Sequence, residues 1–314
     1  VLSEVARSLV KLKAVGKEVE WYLRLWRLAP ALLRQYGTLR PERVHLPRSR
    51  HSVYIDTGDR RAIKRILLDA VRGRYPVNRR FWVDFVETLE PETALDVGAN
   101  YGECVFATDY TDATRVFAFE ANPALQPHLR RSREAHPCAD RIELVNALVD
   151  EHRKGAVPFF VNTRWSGGST AVRQLAEDIP GSREVRVETV SIDAVLDEAI
   201  KSTSTLVFKI DIEGYEPHAL KGMGRLLDAV KTAVGFVEVD LRFLEKSGWT
   251  PQAYDEAVLN RFRLFVATGE GETCFREVPL LADCVRAGSA RHFDMLLIKG
   301  WPRYLPDGWR LETR

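Results

Sequence analysis

The sequence predicts an α/β fold: a doubly wound, mostly parallel sheet of seven strands with a helical N-terminal extension. Three observations carry this expectation. From Glu92 onward, short apolar runs alternate with helical stretches of roughly 10–15 residues, the spacing of βαβ units. A glycine-bearing turn, Asp96-Val-Gly-Ala-Asn-Tyr-Gly102, follows the first of those runs. An acid, Glu120, ends the second run 22 positions after Gly98. Strands connected in this way form a parallel sheet covered on both faces.

Taken in order, residues 1–36 read as a helix. Leu2, Val5, Leu9, Leu12, Val15, Val19, Tyr22 and Trp26 recur at steps of three and four, with Arg7, Lys11, Lys17 and Arg24 off that stripe. Pro30 is expected to break or kink it. Residues 41–60 read as loop with a short strand in Val53–Asp59. Basic helices follow from about Arg61 to Val71 and from Asn78 to Leu89. Ala94–Val97 is the first core strand, followed by the glycine turn and a helix through Ala107. Val116–Phe119 is the second, with a helix opened by Pro123, and Ile142–Val145 the third. Val157–Val161 and Val185–Val190 read as an inserted β pair around a polar loop, Trp165 to Thr170. Ser191 opens a helix to about Ile200. Leu206–Ile210 is a buried strand with a helix from Pro217, and Ala233–Val239 a strand with a helix from Pro251. Phe262–Ala267 and Phe293–Ile298 close the series. The implied organisation is a basic extension over 1–80, a main domain over 81–300 with an insertion at 155–190, and a tail at 301–314.

Composition narrows the class. Hydrophobic residues make up 45% of the 314 and charged residues 29%, which excludes a chain disordered throughout. The net charge of +2 hides an asymmetry: the first 80 residues hold 19 Lys/Arg against 7 Asp/Glu, the remainder 27 against 37. A basic front segment calls for an anionic counterpart, whether a phosphate-bearing substrate, a membrane surface or the acidic body, unless it is simply a solvated helix face. Cys104, Cys138, Cys274 and Cys284 show no Cys-x-x-Cys spacing, against a zinc knuckle or redox motif and in keeping with buried thiols in a reducing compartment. No apolar run approaches the ~20 residues of a membrane span, and no secretory pattern opens the chain. A cytoplasmic protein is expected, with peripheral membrane contact through the basic N-terminal helix and its Trp21 and Trp26 as one reading of that helix. The partner expected is a small-molecule or glycan acceptor, not a nucleic acid.

The first constellation is the turn with Asp96, Gly98, Asn100 and Gly102, followed by Glu120. A nicotinamide-dinucleotide site wants Gly-x-Gly-x-x-Gly, and Asn100 occupies the place of the second glycine, where a side chain crowds a pyrophosphate. The Gly-Lys-Ser/Thr ending of a nucleotide phosphate loop is also missing. An acid entering the turn suits a ligand with a cationic amino-acid end. Glu120, at the end of its strand, is placed to accept hydrogen bonds from both ribose hydroxyls of an adenosine. Asn122 follows it, and Asn146-Ala147, ending the third strand, lies where an adenine ring would rest. The stretch Leu95–Gly102 with Phe119-Glu-Ala-Asn-Pro123 resembles the cofactor site of class I S-adenosylmethionine-dependent methyltransferases. That resemblance implies a Rossmann-like domain whose glycine loop holds the methionine end.

The second constellation, Lys209-Ile-Asp-Ile-Glu-Gly-Tyr-Glu-Pro-His218, follows a buried strand and crowds acids at the sheet edge where open α/β sheets bind ligands. Glu216 with Pro217 also fits ordinary helix-start chemistry. Glu238 ends the next strand and should face the same crevice. This segment, with His218-Ala-Leu-Lys-Gly-Met223, Val237-Glu-Val239, Val187–Asp193 and the Gly-Gly-Ser-Thr170 loop, resembles the FkbM family of methyltransferases over roughly residues 53–298. The family implies O-methylation of a hydroxyl on a sugar, a glycolipid or a secondary metabolite.

Transfer of a methyl group to a hydroxyl needs a base, and the expectation gives that role to Asp211 or His218, with Glu213 and Glu238 positioning the acceptor. Alternatively, Asp211, Glu213 and Glu238 hold Mg²⁺. Asp211 is also a candidate for cofactor binding. Trp165 offers a ring for a sugar face to stack on, with Ser169 and Thr170 as hydroxyl partners. An NAD-linked oxidoreductase and a non-catalytic cofactor- or glycan-binding relative stay open as alternatives.

Overall fold

The structure, a computed structural model, describes residues 26–286 and 291–313. Most of the N-terminal apolar stripe, and with it Trp21 and the proposed membrane face, lies outside the described residues. A helix does run over residues 26–36, and Pro30 does not end it.

The strands, in chain order, are β1 (Arg43–His45), β2 (Ser52–Tyr54), β3 (Thr93–Val97), β4 (Arg115–Phe119), β5 (Ile142–Val145), β6 (Leu148–Val149) and β7 (Ala156–Asn162). They continue with β8 (Ser182–Val190), β9 (Thr205–Ile210), β10 (Thr232–Asp240), β11 (Arg263–Ala267), β12 (Cys274–Val278), β13 (His292–Lys299) and β14 (Arg310–Glu312). The main sheet has nine strands in the order β14-β12-β11-β13-β10-β9-β3-β4-β5. From β10 to β5 every pairing is parallel, the half the βαβ pattern predicts. Beyond β10 the sheet is mixed, because β13 enters antiparallel between β10 and β11, and β11 turns back on β12.

Two strands escape the sequence pattern, so seven become nine. The run Cys274–Val278 carries two adjacent charged residues, Arg276 and Glu277, and is largely half-buried, and the expected tail carries β14, which pairs with β12. Trp309 anchors that tail: it is buried, its ring stacks on Phe275 with centroids 5.7 Å apart, and its Nε1 donates to Asp84 Oδ2 at 2.8 Å.

Alternate residues of the core strands feed two apolar layers. Ala94, Ala118, Val207, Val234 and Phe236 pack with Phe81, Trp82 and Phe85 of the helix Val77–Leu89. Leu95, Phe117, Phe208, Ile210 and Val237 pack on the other face with Leu220, Leu226 and Tyr254. This alternation on both sides of a buried sheet is what makes its strands read as continuous apolar runs. The inserted pair forms as expected, β7 antiparallel to β8 with Val157 opposite Val187, and β6 adds to β8.

The helix expected through Ala107 does not form. Residues 98–108 are a succession of turns, with Asn100 at φ 52° and Gly102 at φ 80°, backbone states that an α-helix cannot contain. The helix expected from Ser191 to Ile200 is one short turn, Ile192–Val195, capped by the Ser191 side chain and followed by a 3₁₀ turn, Ala199–Ser202.

Candidate active site

The carboxyl ends of β3, β4, β9 and β10 open into one cavity of about 420 Å³, closed over by the polar loop and by the basic segment before the helix Val77–Leu89. Its walls include Gly98, Asn100, Glu120, Ala147, Trp165, Ser169, Asp211, Glu213 and Glu238, drawn from segments far apart in sequence.

The two glycines serve the protein's own packing. A Cβ on Gly98 would stand 2.0 Å from the backbone oxygen of Asp211, so only glycine lets the β3 turn and the β9 turn touch. A Cβ on Gly102 would meet the Phe106 ring at 2.3 Å. Gly98 thus permits the close approach of two loops, and Gly102 that of a ring. Gly102 is not on the cavity wall.

Glu120 is buried, and its carboxylate accepts the Asn100 N–H at 2.8 Å and the Asn122 N–H at 2.7 Å. Burial pushes its pKa up to about 7 against those two hydrogen bonds. The Asn100 side chain is tied to the polar loop by the Ser166 hydroxyl, which donates to Oδ1 at 3.2 Å. Asn122 caps the turn that begins at Pro123, and Asn146 Nδ2 donates to the Glu120 carbonyl at 2.8 Å; both support Glu120 from behind. Ala147, rather than Asn146, reaches the cavity.

Beneath the glycine turn lies a residue that sequence reasoning did not single out. Lys209, buried on β9, has its Nζ 3.2 Å from Asp96 Oδ1, 3.2 Å from the Gly98 carbonyl and 3.7 Å from Asp211 Oδ2. Burial opposes its charge, but the two carboxylates more than offset this and keep it protonated. Asp96 thus works below the cavity as the counter-ion of Lys209. The register of parallel strands makes the pair, because Asp96 and Lys209 are direct neighbours on β3 and β9.

Asp211 and Glu238 form an acid pair. Burial disfavours the Asp211 charge, yet Lys209, a hydrogen bond from Glu238 and Arg61 hold it below the ordinary carboxylate range. The charge of Asp211, with burial second, pushes Glu238 up to about 10, so the pair's proton sits on Glu238. Burial, then Asp211 and Glu216, hold Glu213 well above the usual range as well. His292 contacts Glu238 through Nε2, and Asp294, opposite Glu238 in the β10–β13 register, is raised to about 6 by burial. Neither His292 nor Asp294 was singled out from sequence; both arrive through antiparallel β13. The alternation Glu238, Asp240 facing His292, Asp294 was the signal available.

The turn after β9 is held by Glu216, whose Oε1 accepts the N–H groups of Ile212 and Gly214, both at 3.1 Å. Thr170, fully buried, donates its hydroxyl to the Glu213 carbonyl at 2.9 Å. It therefore braces the acid turn instead of facing an acceptor. Ser169 and Trp165 do reach the cavity, and Lys64 Nζ lies 5.4 Å from the Trp165 ring centroid. His218 is placed away from the cavity wall, stacked on Tyr215 at 4.2 Å and edge-on to Trp249 at 5.8 Å. Burial lowers its pKa. That aromatic packing removes it from reach as a base.

The front segment supplies further residues. Arg61 pairs with Glu103 at 2.6 Å on the cavity wall. Asp59, buried, accepts the Tyr101 hydroxyl at 2.9 Å, the Ser166 N–H at 3.2 Å and the Arg61 N–H at 2.9 Å, joining three segments at one carboxylate.

Among the described residues, three potential metal-ligand atoms gather within 4.8 Å of one another only at His51, Asp109 and His136. Asp211, Glu213 and Glu238 are not gathered at that spacing. In the histidine group, His136 Nδ1 accepts the Cys138 N–H at 3.1 Å, which puts the ring proton on Nε2 and leaves no free lone pair for an ion.

A glycine turn, a buried acid and an acid pair converging on the open end of a doubly wound sheet define a Rossmann-like methyltransferase domain. Within that class the chain belongs to the FkbM methyltransferases: the Methyltransferase FkbM domain matches residues 96–263. No curated protein sequence matches it. Similar solved structures include a methyltransferase FkbM from Methylobacillus flagellatus KT, 16% identical with a TM-score of 0.41, over 71% of this chain and 48% of that one. The chain thus spans about half the length of that relative. Another is an O-methyltransferase from Bacillus cereus in complex with SAH, 12% identical with a TM-score of 0.39, over 72% and 82%. A third is the O-methyltransferase TomG from Streptomyces achromogenes, involved in tomaymycin synthesis and in complex with SAM, 10% identical with a TM-score of 0.37, over 71% and 79%.

Proposed function

We propose that the chain is an S-adenosylmethionine-dependent O-methyltransferase acting on a hydroxyl of a sugar, glycolipid or secondary metabolite. The observation that carries this reading is the Asp211–Glu238 pair: one carboxylate kept ionised, its partner kept protonated, at the edge of a cavity whose opposite wall holds Glu120. When bound, S-adenosylmethionine supplies a methyl group on a positively charged sulfur, open to in-line attack.

The chain's residues fit that ligand. Glu120 already accepts two backbone N–H groups and, when ionised, keeps lone pairs for ribose hydroxyls. Asp211 is the base that takes the proton of the acceptor hydroxyl, and Lys209 fixes it in the ionised state beforehand. Glu238, carrying its proton, donates to Asp211 and orients it. Trp165 at the mouth offers a face for a sugar ring. Asp211, Glu213 and Glu238 do not converge at ligand spacing, which favours proton removal by Asp211 over polarisation of the hydroxyl by Mg²⁺. We further propose that the protein works in the cytoplasm on a small-molecule or glycan acceptor; among the described residues, no helix is long and apolar enough to cross a membrane.

The test is transfer of labelled methyl groups from S-adenosylmethionine into glycan, glycolipid and small-molecule fractions by the purified chain. Label in base-stable ether linkage supports O-methylation; no transfer into any fraction, or binding of NAD in preference to S-adenosylhomocysteine, overturns it. Loss of activity with chelator that Mg²⁺ restores overturns the metal-free part.

A further inference from the structure

Two cations are buried against the cavity, Lys209 and Arg79, and a third, Arg61, is largely covered. Lys209 has Asp96 and Asp211, and Arg61 has Glu103. Arg79 is different. It is 2% exposed, and among the described residues no carboxylate lies within 4.0 Å of it. One Nη2 hydrogen bond to the Arg74 carbonyl at 2.9 Å and the face of the Tyr75 ring, 5.3 Å from its guanidinium carbon, are its contacts, and its Nε has no partner. Burial opposes its charge, and Glu103 and Asp69 act on it only from beyond salt-bridge distance; a guanidinium does not shed its proton, so a buried one without a carboxylate in contact is costly to the fold. Arginine's planar fork matches carboxylates and phosphates. The same cavity is lined by Asn78, Phe236 and exposed Arg65, and by the acids Glu103, Asp211, Glu238 and Asp294 already described.

We propose that Arg79 is an anion-binding residue of the cavity, taking a carboxylate or phosphate of a bound ligand. This rests on the methyltransferase reading only for the identity of the ligand. Two sources carry that chemistry: the carboxylate on the amino-acid end of the methyl donor, and an acidic group on the acceptor.

Calorimetry on the full chain separates them. In the first arm, S-adenosylhomocysteine is compared with its decarboxylated analogue. If the donor's carboxylate is the occupant, wild type prefers the intact ligand at least tenfold, and Arg79→Gln binds both at the weaker value. In the second arm, glucuronate and glucose 6-phosphate are compared with glucose on protein holding S-adenosylhomocysteine. If the acceptor's acid is the occupant, wild type binds a charged sugar at least tenfold tighter than glucose, and Arg79→Gln loses that preference. Either result supports the proposal. A charged-to-neutral ratio unchanged by the substitution in both arms overturns it, since a purely structural arginine alters stability without altering that ratio. Should Arg79→Gln not fold, Arg79→Met, which keeps the apolar stem and removes the charge, serves with the same criteria. If wild type fails to bind S-adenosylhomocysteine, the methyltransferase reading fails, and the second arm run without it still decides the anion site.

Discussion

Glu238 holds the proton that Asp211 has given up. The first carries its pKa to about 10 and the second falls below the ordinary range, because one negative charge in this position makes a second unfavourable. Folded Glu238 keeps its proton to about pH 10, whereas unfolded it loses it near 4.5. The folded state therefore binds more protons across that window, and stability falls as pH rises from about 5 to about 10. Glu120 at about 7 and Asp294 at about 6 add to the early part of the fall. Glu238→Gln removes the ionisation, so thermal melts at pH 6 and pH 9 should differ less than in wild type. The relative gain at pH 9 is about 1 kcal/mol, discounted because the Glu238 side chain is partly solvated. A pH dependence as steep as that of wild type would refute the assignment of the proton.

Asp211→Asn keeps the shape of the turn and removes the proposed base. Methyl transfer should drop about 10²–10⁴-fold in kcat, with S-adenosylhomocysteine affinity within about threefold of wild type. His218→Gln, whose parent side chain packs between Tyr215 and Trp249, should leave kcat within about threefold while lowering the melting temperature. Equal losses in the two variants would restore His218 as a candidate base.

Affinity for S-adenosylhomocysteine should weaken as pH falls below about 7, by at most tenfold per unit, because protonated Glu120 accepts fewer hydroxyl hydrogen bonds. Glu120→Ala should abolish measurable binding and cost about 2–4 kcal/mol of stability, since it orphans the N–H groups of Asn100 and Asn122. Calorimetry across pH 5.5–8.5, taken as about that span, reads both effects.

Gly98→Ala should cost about 2–4 kcal/mol, combining a positive φ of 82° with a Cβ pressed on the Asp211 backbone. Denaturant unfolding measures it. The same substitution should reduce kcat even under conditions where the variant is fully folded, because it displaces Asp211.

Trp309→Ala should cost about 3–5 kcal/mol by opening a void among Phe81, Phe85 and Phe275. Its ring does not line the cavity, so ligand affinity in the folded variant should change little.

Much of this was legible in the chain because it is local. The parallel half of the sheet follows from apolar period, and Gly98, Asn100, Glu120, Asp211, Glu213 and Glu238 are strand-end residues whose strands the pattern located. The structure brings these six to one cavity. What escaped is what register creates. Lys209 looked like one letter of a motif until pairing of β9 with β3 set it beside Asp96. His292 and Asp294 sit on a strand whose antiparallel entry no local pattern announces. His218 misled because sequence adjacency to acids says nothing about two aromatic neighbours, one of them 31 residues away. The turns over residues 98–108 looked helical because composition does not reveal a positive φ at Asn100.

The triple junction at Asp59 bears on how this chain can be handled. A version trimmed to the stretch that defines the family would begin beyond this carboxylate and leave the Tyr101 hydroxyl and the Ser166 amide facing nothing. The roof of the cavity is thus fastened by a residue outside the matched domain. Relatives that differ ahead of that domain are free to roof the same chemistry differently, and so to admit different guests.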